Sequence, residues 1–181
     1  MSDSWKLQNT KRHGDYRIFS VREDFYTHPA MADESSFFVI ESPDWVNIIA
    51  TTPDDKIILI RQFRPGISGV RLEIPGGIID PDETPAQAAS RELLEETGYR
   101  GDVPELICEV EPNPAIQNNK CFSYLIKNAT LDGGQSLDPD EVIDIQLHNC
   151  ADLDTIIAGG HLQHALLQLP ILHFLRRRES N

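Results

Sequence analysis

The segment Arg91-Glu92-Leu93-Leu94-Glu95-Glu96 sets three carboxylates against one arginine within six residues. Carboxylates this close can hold a hard divalent cation, serve as acid or base, or form a solvated acidic surface. The last option fits the local physics badly. The segment reads as a helix: Thr84 can cap, Pro85 takes the first helical position, Gln87 completes a capping box, and Thr97-Gly98 supplies the stop. At about 100° per residue, with Glu92 at 0°, Ala89, Leu93, Ala86 and Thr97 fall between roughly 60° and 140°, whereas Glu95 and Glu96 fall near 300° and 40°. One face is small and apolar, and the opposite one is acidic. Glu92 and Glu96 repel at i,i+4, and Glu95 and Glu96 sit in the last turn, where the helix dipole disfavours anions. A bound Mg²⁺ or Mn²⁺ is the economical compensation, because clustered oxygen donors suit those ions. Asp80, Asp82 and Glu83 in the preceding loop bring further oxygens close.

Elements must position this helix. Residues 1–14 are polar and predict no regular structure, and Tyr16 to Val21 and Phe37 to Ile40 read as short strands of a small antiparallel appendage. Trp45 to Thr51 and Lys56 to Arg64 are β-rich runs on either side of Thr52-Pro53-Asp54-Asp55, a turn composition that predicts a hairpin. Arg71 to Ile74 is a strand stopped by Pro75-Gly76-Gly77, and the helix spans about residues 85 to 97. Strands follow at Glu105 to Glu111, Cys121 to Lys127 and Val142 to Leu147, then helices at Asp152 to Ala158 and His161 to Arg177. Mixed strands with few helices predict a sheet covered by helices on its faces.

Composition bounds the function. The chain has 181 residues, one domain's worth with a small appendage, and 40% apolar residues, enough for a sizeable core. With 16 basic against 29 acidic residues, the net charge of −13 argues against nucleic-acid or anionic-membrane binding. Cys108, Cys121 and Cys150 are odd in number, with no CxxC, which indicates neither a disulfide framework nor a thiolate zinc site. A reducing cytoplasm fits, and no signal peptide or membrane span is expected.

Gly77, five residues, Glu83, seven residues, then Arg91-Glu92-Leu93-Leu94-Glu95-Glu96-Thr97-Gly98-Tyr99 resembles the Nudix box at every fixed position, with Tyr99 a mild departure at the final aliphatic place. The resemblance implies an α/β/α sandwich with a mixed sheet, in which the box binds divalent metal beside a diphosphate. It implies that Glu92 and Glu96 are metal ligands, Glu95 a ligand directly or through water, and the Gly76 carbonyl a further one. It also implies that Arg91 orients the carboxylates and that Glu83 pairs within the loop. Gln62-Phe63-Arg64-Pro65, Leu72-Glu73-Ile74-Pro75-Gly76-Gly77 and Pro114 are similar to the ADP-ribose pyrophosphatase and nucleotide-sugar hydrolase branch, so the likeness covers roughly residues 16 to 175. Members of that branch are commonly homodimers built with their N-terminal strands. Residues 1–40 are therefore expected to be a dimerising appendage and 41–181 the hydrolase domain. Ala115-Ile116-Gln117-Asn118-Asn119-Lys120 departs from the glycine and acidic residue usual after that proline, which leaves other nucleoside diphosphate sugars open beside ADP-ribose.

Pyrophosphate cleavage needs charge neutralisation, a positioned water and a base. The cations recruited by the acidic face would in turn recruit an anionic substrate. Arg64, with Arg61 or Arg71, is expected on phosphate or ribose, and Glu73 on metal-associated water or substrate. By likeness to related pyrophosphatases the base lies in Asp138-Pro139-Asp140-Glu141, with Glu141 preferred over Asp138, Asp140 and Glu95. Trp5, Trp45, Phe37 and Tyr26 are candidates for stacking on a base, and His161 and His164 read as helix surface. The expected activity is Mg²⁺-dependent hydrolysis of nucleoside diphosphate sugars, Mn²⁺ substituting. A nucleoside triphosphate or dinucleoside polyphosphate hydrolase, and a noncatalytic nucleotide-sugar sensor, are the alternatives.

Overall fold

The computed structural model describes residues 4–179 and divides into two compact units, one of residues 4–44 with Glu111–Lys120, the other of Trp45–Val110 with residues 121–179.

The first unit is an antiparallel sheet, β1 (Lys6–Asp15), β2 (Ser20–Thr27) and β3 (Ser35–Glu41), in that order. Of the segment 1–14, expected to lack regular structure, residues 1–3 lie outside the described residues and Lys6 onward forms β1. Its sequence, KLQNTKRHGD, has no apolar alternation because the strand is an exposed edge. Cross-strand polar pairs hold it instead: Thr10 donates to Asp24 at 2.8 Å and His13 meets Glu23 at 2.8 Å. Trp5, Tyr26 and Phe37 gather into one edge-to-face cluster with centroids 5.8–6.4 Å apart.

The second unit carries β4 (Trp45–Ala50), β5 (Lys56–Arg64), β6 (Gly69–Glu73), β7 (Gly76–Ile78), α1 (Pro85–Thr97), β8 (Tyr99–Arg100), β9 (Glu105–Val110), β10 (Cys121–Ile126), β11 (Thr130–Leu131), β12 (Ile143–Asn149), α2 (Leu153–Ala158) and α3 (Ala165–Glu179). One mixed sheet runs β7-β4-β10-β9, with β4 and β10 parallel. A second runs β12-β5-β6, all antiparallel, and β11-β8 is a short ribbon. The expected hairpin of β4 and β5 does not form, since the two meet only at the bridge Thr51 to Ile57. Both are continuous apolar runs, Val46 to Ala50 and Ile57 to Ile60, and each is the buried centre of its own sheet with two other partners. Likewise Gly76-Gly77, expected only to stop a strand, begins one: β6 ends at Glu73 and β7 starts at Gly76, pairing with β4 at Asn47 to Gly76 and Trp45 to Ile78.

Strand alternation sorts the core into two layers. Val46, Ile48, Ala50, Ile58, Tyr124 and Ile126 pack on Ala88, Ala89 and Leu93 of α1. Ile49, Ile57, Leu59 and Leu125 pack on Leu153 of α2 and Leu167, Ile171 and Phe174 of α3. This α/β/α layering is the arrangement expected from the sequence. α3 starts at Ala165, later than the expected His161, and contains Pro170, which cannot donate to the Leu166 carbonyl. Asn47 of β4 supplies the missing donor, its Nδ2 lying 3.1 Å from Leu166 O.

Candidate active site

α1 begins as its sequence predicts. Thr84 accepts from Gln87 N at 3.3 Å and Gln87 Oε1 accepts from Thr84 N at 2.8 Å, a reciprocal cap contributing about 1 kcal/mol. At the other end Gly98 adopts φ 73° and donates to Leu94 O at 2.7 Å. The next two orphan carbonyls are capped by the loop before β12: Ser136 N donates to Glu95 O at 2.8 Å, and Gln135 Nε2 to Glu96 O at 2.7 Å. The helix end thus pins the loop that carries Asp138 and Glu141.

A cavity of about 640 Å³ results, lined by Glu92, Glu95, Glu96, Arg91, Gly76, Gly77, Gln62, Arg64, Ser136, Asp138 and Glu141, among others. All four residues expected at the metal are here, together with Arg91, Arg64 and Glu141. Glu96, placed on the acidic face by its angle, is only 3% exposed, because 40° lies at the seam with Ala89 at 60°. Its Oε2 accepts from Gly76 N at 2.9 Å. Burial pushes the Glu96 carboxyl up to about 8 against that hydrogen bond, with Glu92 and Glu141 adding repulsion. Burial likewise raises Glu92 to about 7, opposed by Arg91. Arg91 is the hub: it reaches Glu83 at 2.5 Å, Glu92 at 2.8 Å, Glu95 at 3.0 Å and the Ile78 carbonyl at 3.0 Å.

The donor set fits a hard cation. It is all oxygen, and two of its buried carboxylates are costly when ionised without a counter-charge. Among the described residues no three metal-binding side chains already surround a common point, and Glu92 and Glu95 are held in the Arg91 fork.

The two glycines have separable roles. A Cβ on Gly76 would stand 2.3 Å from the rigid Val46 carbonyl, whereas one on Gly77 would meet the movable Glu92 carboxylate at 2.2 Å. Gly76→Ala is therefore expected to lose about 1–3 kcal/mol in urea unfolding. Gly77→Ala should keep its fold within about 1 kcal/mol while losing divalent-cation affinity, measured by titration calorimetry.

The raised carboxyls also set a pH dependence. Between the ordinary carboxylate value and about 8 the folded protein binds more protons than the unfolded chain, so stability in EDTA should fall as pH rises across that window. Carboxylates held low, such as Asp54 at about 2 beside Lys56, act only on the acid side. Melting curves in EDTA from about pH 5 to pH 8.5 check the sign, and divalent cation should restore the melting temperature most at the alkaline end.

Other expected residues lie elsewhere. Glu73, 3% exposed, is not on the cavity wall but forms a bidentate pair with Arg64 at 2.6–3.1 Å. Arg61 is not brought to the carboxylates: Gln62 and Arg64 share one face of β5, and the pleat turns Arg61 to the other. His164 precedes α3 rather than lying on it and lines a neighbouring groove with Arg64 and Trp45. The sequence marks Gln62 only as part of Gln62-Phe63-Arg64-Pro65, with no role at the site, and does not mark Gln135 or Ser136. Two-residue spacing from Arg64 could have found Gln62, but no local signal marks the loop pair.

Residues 42–167 match the NUDIX domain model, and the chain belongs to the Nudix family. It is 38% identical to the ADP-sugar pyrophosphatase of Mus musculus over 97 residues, 51% of this chain and 43% of that protein. It is 31% identical to the ADP-ribose pyrophosphatase of Bacillus subtilis (strain 168) over 108 residues, 59% and 58% of the two chains. The chain spans about half the length of the curated relatives it matches. A crystal structure of an ADP compounds hydrolase shares the fold with a TM-score of 0.87 and 18% identity, over 98% of this chain and 96% of that one.

Proposed function

We propose that the protein hydrolyses the pyrophosphate bond of nucleoside diphosphate sugars, ADP-ribose first among them, to a nucleoside monophosphate and a sugar phosphate. The observation that carries this is the single cavity joining Glu92, Glu95 and Glu96 to Arg64 and Glu141. The names of the relatives, pyrophosphatases of ADP-sugar and ADP-ribose, support the substrate class. Glu92 and Glu96, with Glu95 and the Gly76 carbonyl, would hold Mg²⁺, and Mn²⁺ could substitute. When bound, the cation supplies charge neutralisation and Lewis acidity toward the phosphate oxygens.

Arg91 keeps the carboxylates aligned through its fork. Arg64, itself fixed by Glu73, presents its remaining guanidinium face to a phosphate. Glu141 takes the proton of a water whose oxygen attacks one phosphorus as the bridging P–O bond breaks. The leaving phosphate retains the bridging oxygen. The exposed apolar side chains of the first unit, including Trp5, Leu7 and Phe37, support a homodimer made through residues 1–40, with 41–181 as the hydrolase domain. Among the described residues no disulfide joins Cys108, Cys121 and Cys150, which supports a reducing compartment such as the cytoplasm, and no helix is long and apolar enough to cross a membrane.

The test is release of nucleoside monophosphate from ADP-ribose, GDP-mannose, UDP-glucose and ATP, each in Mg²⁺ and in EDTA. Metal-dependent cleavage fastest on a diphosphate sugar is expected. Fastest cleavage of ATP would move the reading to triphosphates, and saturable binding without turnover of any of them would make the protein a sensor.

A further inference from the structure

The face of β5 turned away from the carboxylates has a cavity of its own. About 450 Å³ in volume, it is lined by Leu72 of β6 and Ile156 of α2 together with Arg61, Arg71, His161 and Gln163. Its size is that of a small-molecule pocket.

The charge pattern there is unusual for this chain. Among 29 acidic residues, Arg12, Arg22, Arg64, Arg91, Arg100 and Arg178 each sit on a carboxylate. Among the described residues, Arg61 and Arg71 have no carboxylate within ion-pair distance, and Arg71 donates only to the Val70 carbonyl at 3.0 Å. Asp144 is the register partner of Arg61 on β12, yet forms no ion pair with it. Arg61 of β5 and Arg71 of the edge strand β6, which stands opposite Gln62 in the register, both line this one cavity in a protein of net charge −13. Their planar forks match phosphate oxygens, and the imidazole of His161 and amide of Gln163 add donors at the rim.

We propose that this cavity is a second binding site, separate from the carboxylates, for a phosphomonoester of nucleotide or sugar-phosphate size. The phosphate lies between Arg61 and Arg71 and the rest of the ligand on Leu72 and Ile156. The site needs no metal, because its charge is supplied by the arginines. It also accounts for an arginine that the sequence directs toward substrate and the β5 pleat directs away from it.

The experiment is calorimetric titration of the full chain with AMP, ribose 5-phosphate and orthophosphate, in Mg²⁺ and in EDTA. AMP should bind saturably in EDTA, equally to wild type and to Glu96→Gln, with orthophosphate competing, and should shift the ring signals of His161 and of His148, which lines the same cavity from β12, in proton NMR. Arg61→Gln should weaken binding at least about tenfold, and Arg71→Gln likewise. Arg100→Gln, a charge loss elsewhere on the surface, should leave it unchanged. Absence of saturable binding in EDTA, equal weakening by Arg100→Gln, or binding indifferent to Arg61→Gln or to orthophosphate would each overturn the proposal. Failure of hydrolysis would not bear on this result, because neither metal nor turnover enters it.

Discussion

Arg91→Ala is expected to destabilise the protein by about 2–4 kcal/mol and to cut turnover by at least about a hundredfold. An exposed ion pair would be worth far less, about 0–1 kcal/mol. Arg91 differs because its partners are mostly buried: the side chains of Glu83 and Glu92 are 15% and 14% exposed. Removing the guanidinium leaves those carboxylates facing one another in a poorly solvated site. It also frees the Ile78 carbonyl, which Arg91 uses to fix the loop before the helix. Arg91→Lys should recover part of the stability and little of the turnover, since one ammonium cannot span Glu83, Glu92 and Glu95 at once. Urea unfolding in EDTA gives the first number and steady-state hydrolysis of ADP-ribose the second. A stability change near zero in Arg91→Ala would mean that the hub is an ordinary surface cluster.

The helix was the most legible part of the molecule, and for a physical reason. Its cap at Thr84, its stop at Gly98 and its carboxylate stripe are local, set by residues within one or two turns. Strand pairing is not local. The turn composition of Thr52 to Asp55 is real, with Lys56 N donating to Thr52 Oγ1 at 3.0 Å, yet it joins strands of two different sheets. What decides their partners is the burial of Ile48, Ile49, Ile58 and Leu59 on both faces, which only the completed sandwich provides. The site divides in the same way. Glu92, Glu95 and Glu96 follow from helical spacing, whereas Gln135 and Ser136 act by capping carbonyls 39 and 41 residues earlier in the chain. Arg61 lies apart from the carboxylate cavity through simple parity, one residue away from Gln62 on a pleated strand.

Glu96→Gln is expected to abolish turnover, by about a thousandfold or more, while making the metal-free protein more stable at alkaline pH. The amide keeps an acceptor for Gly76 N but carries no charge, so it removes both the desolvation of a buried anion and the repulsion from Glu92 and Glu141. In EDTA the variant should melt above wild type near pH 8, and the gap should close toward pH 5, where wild-type Glu96 is itself protonated. Mg²⁺ should raise the wild type and leave the variant nearly unmoved. The strain of this site is then the cost of its affinity: carboxylates held uncomfortably close in the free protein are those with most to gain from a cation. A variant less stable than wild type at every pH would show that Glu96 is a structural acceptor for Gly76 and little more.

The most direct measurement is Mn²⁺ binding by electron paramagnetic resonance on wild type, Glu92→Gln and Glu96→Gln, with hydrolysis of ADP-ribose followed on the same samples. Tight Mn²⁺ binding and turnover in wild type, lost together in both variants, is the expected result. Turnover that persists in EDTA, or in variants that no longer bind the ion, would contradict the assignment of the α1 carboxylates to a divalent-cation site for pyrophosphate cleavage.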